Sequence, residues 1–584
     1  MQRPSTFYLI IICSTICFIL SQTTVSAQKK KKQTSTASQS INLTNADRST
    51  LYRIVIPAAA STHEKKAAEV LTDHLLQMSG SALPVVADHT PVAKYEVVLG
   101  QSNRLNSEET GTDLNSLGDD GFHIKTVNDK LYITGGLGKG TLYGVYTFLE
   151  KYLGCRMYSP TVKVIPKMKE IVVPDINDLQ IPKITFRSIH YRATWHEEYI
   201  NWHKLNQYTN GERPNWGMWV HTFHALAPPD QYFNDHPEYF AEVNGKRLPT
   251  QLCLTHPEVL EIVVQGLRAR MAQAPEMEYW SVSQNDNRNY CTCKNCKAID
   301  DREGSPSGSI INFVNQVADR FPDKMISTLA YEYGRRAPAT LKPRDNVNIM
   351  LCSIEAGRGK TIEEDPESSD FVEDVKDWGK IAKDIIVWDY VIQFSNLYGP
   401  FPNFHVLQPN LKFFADNGVT AMFEQGNREV GGEFAELRSY MISKLMWDPY
   451  ADANAIMDDF LHGYYGTAAP QIRAYIDKIT AELQKSGQRL GIFDGPNTAI
   501  TSYLSPELVS EYSAIFDKAE KAVANNPELL ERVREARLPL EFTIMEHAKK
   551  IYAGEGGVFQ KVDGKWEPNN DIQKDRPFCR PAKT

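Results

Sequence analysis

The sequence predicts an α/β protein: a (β/α)8 TIM-type barrel with an N-terminal α/β domain before it and a C-terminal helical region after it. Three observations predict this. From Pro182 onward, short apolar runs alternate with helix-like stretches, the order that a barrel of eight parallel strands needs. Those runs end in acidic and aromatic residues, and the C-terminal ends of barrel strands are where such folds keep their chemistry. At 584 residues, the chain is also too long for one ordinary core.

The 42% hydrophobic and 23% charged fractions are those of a globular protein. A net charge of -8, with no long basic face, excludes a general nucleic-acid binder. The N-terminus reads as an export signal. Arg3 precedes the apolar run Phe7 to Leu20, and Val25-Ser26-Ala27 fits a small-x-small cleavage site. The expectation is a periplasmic or extracellular protein cut near Ala27, with no membrane insertion afterwards. Residues 28–45 form a flexible leader.

Residues 46–180 predict the first α/β domain. Tyr52 to Ile56 and Tyr95 to Leu99 are strands. Glu64 to Met78 is an amphipathic helix stopped at Ser79-Gly80. Gly121 to Thr126 and Lys130 to Thr134 form a hairpin around Asn128-Asp129. The run Gly135-Gly136-Leu137-Gly138-Lys139-Gly140 opens a helix over Thr141 to Tyr152. It lacks phosphate-loop spacing, and a tight strand-to-helix turn accounts for it.

Residues 181–450 predict the barrel. Its strands are Ile184 to Ile189, Met218 to Phe223, Gln251 to Thr255, Tyr279 to Ser283, Met325 to Tyr333, Val347 to Ile354, Ile385 to Val391 and Val419 to Phe423. Residues 451–584 supply helices to about Ala553 and then a loosely ordered tail.

Reading off the strand ends gives the candidate site. Strand 1 offers Arg187, strand 2 His221, and strand 4 Asn285 and Asp286. Strand 5 offers Glu332, strand 6 Glu355, strand 7 Trp388, Asp389 and Tyr390, and strand 8 Glu424. Carboxylates with aromatic neighbours suit glycosidic chemistry. One acid protonates a leaving oxygen, a second carboxylate stabilises an oxocarbenium-like state, and flat rings stack on sugar faces. Glu355 reads as a salt-bridge residue, given Arg358.

Two of the nine cysteines fall in the export signal, and the seven that remain are too sparse, and odd in number, for a disulfide framework. Cys291, Cys293 and Cys296 cluster as C-x-C-x2-C, and Cys253 on the preceding strand end offers a fourth thiol. Structural zinc, a disulfide and free thiols all remain open for these four. No catalytic metal or cofactor is required.

Two stretches carry a family resemblance. The order IVIP, helix, YEVVLG, GFHIK, LYITGG, TLYGVYTFLEKYLGCRMYSP resembles the non-catalytic N-terminal domain of glycoside hydrolases of families 20 and 67. SVSQNDNRNYCTCKNC, LAYEYGR, WDYV and FEQG resemble bacterial proteins carrying the domain of unknown function numbered 4838, associated with glycoside hydrolase family 163. That resemblance implies an endo-β-N-acetylglucosaminidase acting on N-acetylglucosamine-containing N-glycans, with the substrate's acetamido group as nucleophile. It implies Asp286 and Glu332 as the essential carboxyls. Arg187, Glu424, His221, Asn285, Trp388, Asp389 and Tyr390 would then line the subsite. An α-glucuronidase-like exo-glycosidase and a non-catalytic carbohydrate-binding protein are the competing readings. The sequence leaves the oligomeric state open.

Overall fold

The computed structural model describes residues 40–207, 209, 215–552 and 559–568. The expected signal segment and residues 28–39 of the expected leader lie outside the described residues; the end of that leader is instead a strand, Ile41–Thr44, paired antiparallel with Ile171–Val173.

The N-terminal domain is a six-stranded sheet. Its elements are β1 (Arg53–Ile56), α1 (Thr62–Ser79), β2 (Val85–Ala87), β3 (Glu96–Leu99), β4 (Phe122–Val127), β5 (Lys130–Gly135), α2 (Gly140–Thr147) and β6 (Asn177–Gln180). The strand order is β6-β4-β5-β3-β1-β2. α1 starts at a capping box, in which Ser61 and Glu64 satisfy each other's backbone N–H. It stops at Gly80 in the left-handed region. The glycine-rich run is explained by close backbone packing. A Cβ at Gly136 would sit 2.0 Å from the Gly118 carbonyl oxygen, and one at Gly140 would sit 2.3 Å from that of Gly121.

The central domain is built on β7 (Phe186–Ile189), β8 (Trp216–Met218), β9 (Phe240–Val243), β10 (Lys246–Leu252), α3 (Pro257–Gln273), β11 (Tyr279–Ser281), α4 (Lys294–Glu303), α5 (Ser307–Ala318), β12 (Met325–Ala330), β13 (Val347–Cys352), α6 (Ser369–Ile381), β14 (Asp384–Tyr390), α7 (Phe404–Asp416) and β15 (Ala421–Gln425). Seven of these strands form one parallel sheet in the order β7-β15-β14-β13-β12-β11-β8. The sheet is curled. Trp219, just past β8 at one edge, packs on Trp388 of β14 and Phe423 of β15 near the other edge, with ring centroids 5.9 Å apart in each case. Strands so far apart in the order meet only across a concave face.

This corrects the expected barrel at one strand. Gln251 to Thr255 does not join the parallel sheet. Its first residues end β10, which pairs antiparallel with β9 as a hairpin. β8 bonds directly to β11, and no β7–β8 ladder exists among the described residues. The result is a TIM-like half-barrel of seven parallel strands. An apolar run such as QLCLT is equally suited to a hairpin packed over a cysteine cluster, so composition did not reveal its partner.

The C-terminal helices are α8 (Ala435–Trp447), α9 (Ala453–Tyr465), α10 (Ala469–Ser486), α11 (Pro506–Ala522) and α12 (Pro527–Tyr552). The tail contains a two-stranded hairpin, Phe559–Val562 with Lys565–Pro568. That adds regular structure where a loose tail was expected. No helix among the described residues is long and apolar enough to cross a membrane.

The two α/β domains are bolted together by polar contacts across a buried seam. Asp120 accepts from Arg187 Nη2 at 2.6 Å and from Asn206 Nδ2 at 2.9 Å. Tyr143 donates to the Leu205 carbonyl at 2.9 Å, and Trp447 of α8 stacks on Phe122 at 5.6 Å.

Candidate functional site

Strand alternation decides which side chains face the concave side of the sheet. Trp388 and Phe423 are register partners and face it, since both meet Trp219. Cys352 pairs with Trp388 and shares that face. Tyr390, two residues beyond Trp388, shares it too, and the Tyr390 ring lies 6.1 Å from that of Trp388. Tyr331 follows β12 at the same rim.

The loop after β11 delivers Asp286 to this rim. Buried Gln284 donates to the carbonyls of Leu329 and Tyr331, both at 3.3 Å, which ties the loop to the end of β12. The Tyr331 hydroxyl donates to Asp286 Oδ1 at 3.0 Å. Two residues on, Arg288 Nε lies 3.2 Å from Glu332 Oε1. Asp286 and Glu332 are thus stitched together at adjacent strand ends. Burial, then the charges of Asp286 and Glu332, push the Tyr331 phenol up, so it stays a hydrogen-bond donor.

Glu332 has φ of +47° and His221 has φ of +54°, left-handed conformations that non-glycine residues adopt at a cost. His221 Nδ1 is 2.8 Å from the Gln284 carbonyl, which only accepts, so Nδ1 carries the proton. The His221 ring meets Tyr331 edge-on at 6.0 Å. Glu355 completes the acidic rim, half-exposed. Its ion-pair partner is Arg335 at 2.8 Å, not Arg358.

The structure therefore brings together Asp286, Glu332, His221, Trp388 and Tyr390. Four other expected site residues lie elsewhere. Arg187 is 0% exposed. Its donors are taken by Asp120 and by the carbonyls of Lys204, Ile184 and Thr185. It sits near the start of β7, on the domain seam, not at the strand end. Asn285 spends its side chain on the backbone: Nδ2 donates to the Thr250 carbonyl at 2.9 Å and Oδ1 accepts from His224 N–H at 3.3 Å. Adjacent strand residues face opposite sides, so Asp389 and Glu424 lie behind the sheet, away from Trp388 and Phe423. There Asp389 accepts from Ser353 and lies 3.5 Å from Arg358 Nη2.

Glu424 is 2% exposed, and its Oε2 has no hydrogen-bond partner among the described residues. Burial first, and then the Asp389 charge, raise its carboxyl well above the ordinary 4.5, against a smaller opposing pull from Arg358. A raised acid binds its proton more tightly in the fold than in the unfolded chain. Its stabilising effect is complete below pH 4.5 and is lost as pH rises toward the folded value. Glu424→Gln removes this dependence. Melting curves of the wild type and the variant are expected to converge in acid and separate above pH 4.5, with the wild type falling faster. Curves that run parallel across that range would refute the assignment.

Sequence reading missed several supports. Arg288, in the same polar stretch as Asp286, was a readable signal for a Glu332 partner. Gln251, which accepts from Asn285 N–H at 3.0 Å and donates to the carbonyl of Asn285, and Ser353, which holds Asp389, had no signal beyond being polar. A cleft of about 600 Å³ also exists at the other end of the sheet, lined by Asp120, Lys139, Trp216, Tyr279 and Asp384. It belongs to the domain seam at the strand N-termini, the end that (β/α) folds use for stability.

Fold and rim together define a TIM-like α/β protein with an acidic, aromatic-lined strand-end site and a separate N-terminal α/β domain. The chain belongs to the family of a domain of unknown function (DUF4838), whose model matches residues 157–477. The model for the glycosyl hydrolase family 67 N-terminus matches residues 27–148. No curated protein matches the chain. Among solved structures, it is similar to a family GH115 4-O-methyl-α-glucuronidase, BtGH115A, at 13% identity and a TM-score of 0.55, over 88% of this chain and 73% of that one. CpGH84D gives 10% identity and a TM-score of 0.48, over 87% and 86%. A GH20 β-N-acetylhexosaminidase from Streptomyces coelicolor A3(2) gives 13% and 0.40, over 74% and 93%. At 13% identity, the likeness to BtGH115A is one of fold.

Proposed function

We propose that the chain is an exported glycoside hydrolase acting on N-acetylglucosamine-containing glycans at the concave rim. The observation that carries this reading is the pairing of Asp286 and Glu332 across two adjacent strand ends, through Tyr331 and Arg288. One carboxyl of such a pair protonates the leaving oxygen. The other steadies the acetamido group or the positive charge that develops on the sugar. Asp286, exposed and held by a phenol, assists or protonates from the loop after β11. Glu332 is the second acid. Trp388 and Tyr390 offer rings along the same concave face, and His221 presents its imidazole from the neighbouring strand end, against Tyr331 and the Asp286 loop.

The family 67 N-terminal match favours a second reading, an α-glucuronidase-like exo-enzyme, in which His221 would meet a substrate carboxylate. One experiment separates the two. The purified chain is incubated with complex N-glycans and, separately, with uronic-acid oligosaccharides, and products are read by mass spectrometry. Release of a glycan with one N-acetylglucosamine at its reducing end supports the first reading, and release of free uronic acid supports the second. Binding without cleavage of either would sink both in favour of a carbohydrate-binding protein. Export is checked by N-terminal sequencing of the secreted or periplasmic form, expected to begin just after Ala27.

Tyr331→Phe tests the phenol. A hydrogen bond to a charged group contributes about 1.5–3 kcal/mol. The variant is therefore expected to lose about 10–100-fold in kcat/KM, and because the bond to Asp286 exists before substrate binds, its melting temperature should fall as well. An unaltered kcat/KM would show that the phenol does not serve the reaction.

A further inference from the structure

The geometry points to a structural zinc ion held by Cys253, Cys291, Cys293 and Cys296, clamping the β9–β10 hairpin onto the loop that carries Asp286. All four side chains are buried, and their sulfur atoms lie within 4.8 Å of one another. None is in a disulfide. Zinc binds thiolates at about 2.3 Å, and the edge of a tetrahedron of that radius is about 3.8 Å. The Cys253 and Cys293 sulfurs are separated by 3.8 Å, one such edge. Sulfurs at that spacing are too far apart to be bonded and surround a space of the right size for one ion.

The surroundings supply what four thiolates need. Glu242 N–H donates to Cys291 Sγ at 3.3 Å. The Thr255 hydroxyl lies 3.3 Å from Cys296 Sγ, and Arg247 Nη1 lies 3.9 Å from Cys291 Sγ. Such donors to ligating sulfurs steady a thiolate site and offset its charge. Cys293 is the N-cap of α4 and Cys296 lies in its first turn, where the helix dipole favours negative charge. Binding a divalent zinc ion at four thiols releases four protons and leaves a site of net charge -2, beside the Arg247 guanidinium. Four protein ligands close the coordination sphere, so the ion is structural and takes no part in hydrolysis.

Its position explains why the half-barrel keeps its shape where the third strand is missing. Cys253 immediately follows β10, while the other three cysteines follow the Asp286 loop. Between them, Gln251 Nε2 donates to the carbonyls of Asn285 and Asn287, at 2.7 and 3.1 Å. The Thr250 carbonyl accepts from Asn285 and Asn287 side chains, at 2.9 and 3.1 Å. The clamp does across the cysteines what a strand ladder does elsewhere in the sheet.

The test is elemental analysis of the full chain purified without chelators, which does not depend on any enzymatic activity. One zinc per chain is expected. Cys291→Ser combined with Cys296→Ser should lose it, while Cys155→Ala, at a buried cysteine of the N-terminal domain, should keep it. Should the double variant not fold, the wild type still decides. A thiol reagent with a zinc indicator should release one zinc as four thiols react, and cobalt exchange should give the absorption bands of tetrahedral thiolate ligation. Metal-free wild type with disulfides among these four cysteines would overturn the proposal. Iron in place of zinc would overturn the identity of the ion.

Discussion

Asp286→Asn and Glu332→Gln are each expected to lower kcat by about 10²–10⁴-fold, the usual contribution of a positioned acid or base. The melting temperature should hardly change. Asp286 is exposed and hydrogen-bonds through its side chain to Tyr331, and Glu332 pairs with a largely exposed Arg288. Neither substitution opens a cavity or strands a buried charge. The two variants should differ in one respect. The variant lacking the proton donor should recover activity on an aryl glycoside, whose leaving group departs without protonation. The variant lacking the stabilising carboxylate should not recover. If both variants keep full activity on the natural glycan, the rim is not the catalytic site.

Arg187→Ala is expected to cost about 3–5 kcal/mol of stability, because it leaves the Asp120 carboxylate buried without its cation. The damage should appear at the seam, as faster proteolysis between the two α/β domains and a lower denaturation midpoint. Replacing both partners with apolar residues, Arg187→Met with Asp120→Leu, should restore much of that loss, since removing a buried pair whole avoids the stranded charge. A sugar-gripping Arg187 would behave differently. Its loss would raise KM while leaving stability alone, and that outcome would move Arg187 back to the rim.

These two residues show what the sequence held and what it withheld. MISTLA, VNIMLC, DIIVWDY and AMFEQ are strands covered on both faces, so continuous apolarity marked them and their polar ends marked the rim. That was enough to place Asp286 and Glu332 at neighbouring strand ends, where the structure has them. Depth along a strand was not legible. Arg187 is the second residue of β7, so it sits at the seam end, while the rim begins past Ile189. Facing was not legible either, because it depends on register. Asp389 and Glu424 pair with each other and share a face, while Trp388 and Phe423 share the other. The cysteine spacing suggested a cluster with Cys253 as a possible fourth thiol, and the fold brings Cys253 to it from 38 residues before Cys291.

The β9–β10 hairpin has a consequence for how this protein can diversify. Its turn, Asn244-Gly245, has both residues at positive φ, 51° and 75°, and both are exposed. A ladder strand is locked between two neighbours, and lengthening it shifts the register of the sheet. Among the described residues its two strands ladder only with each other, so residues added at its tip leave the seven-strand register intact. The wall beside Asp286 can therefore grow or shrink independently of the scaffold that aims the carboxyls.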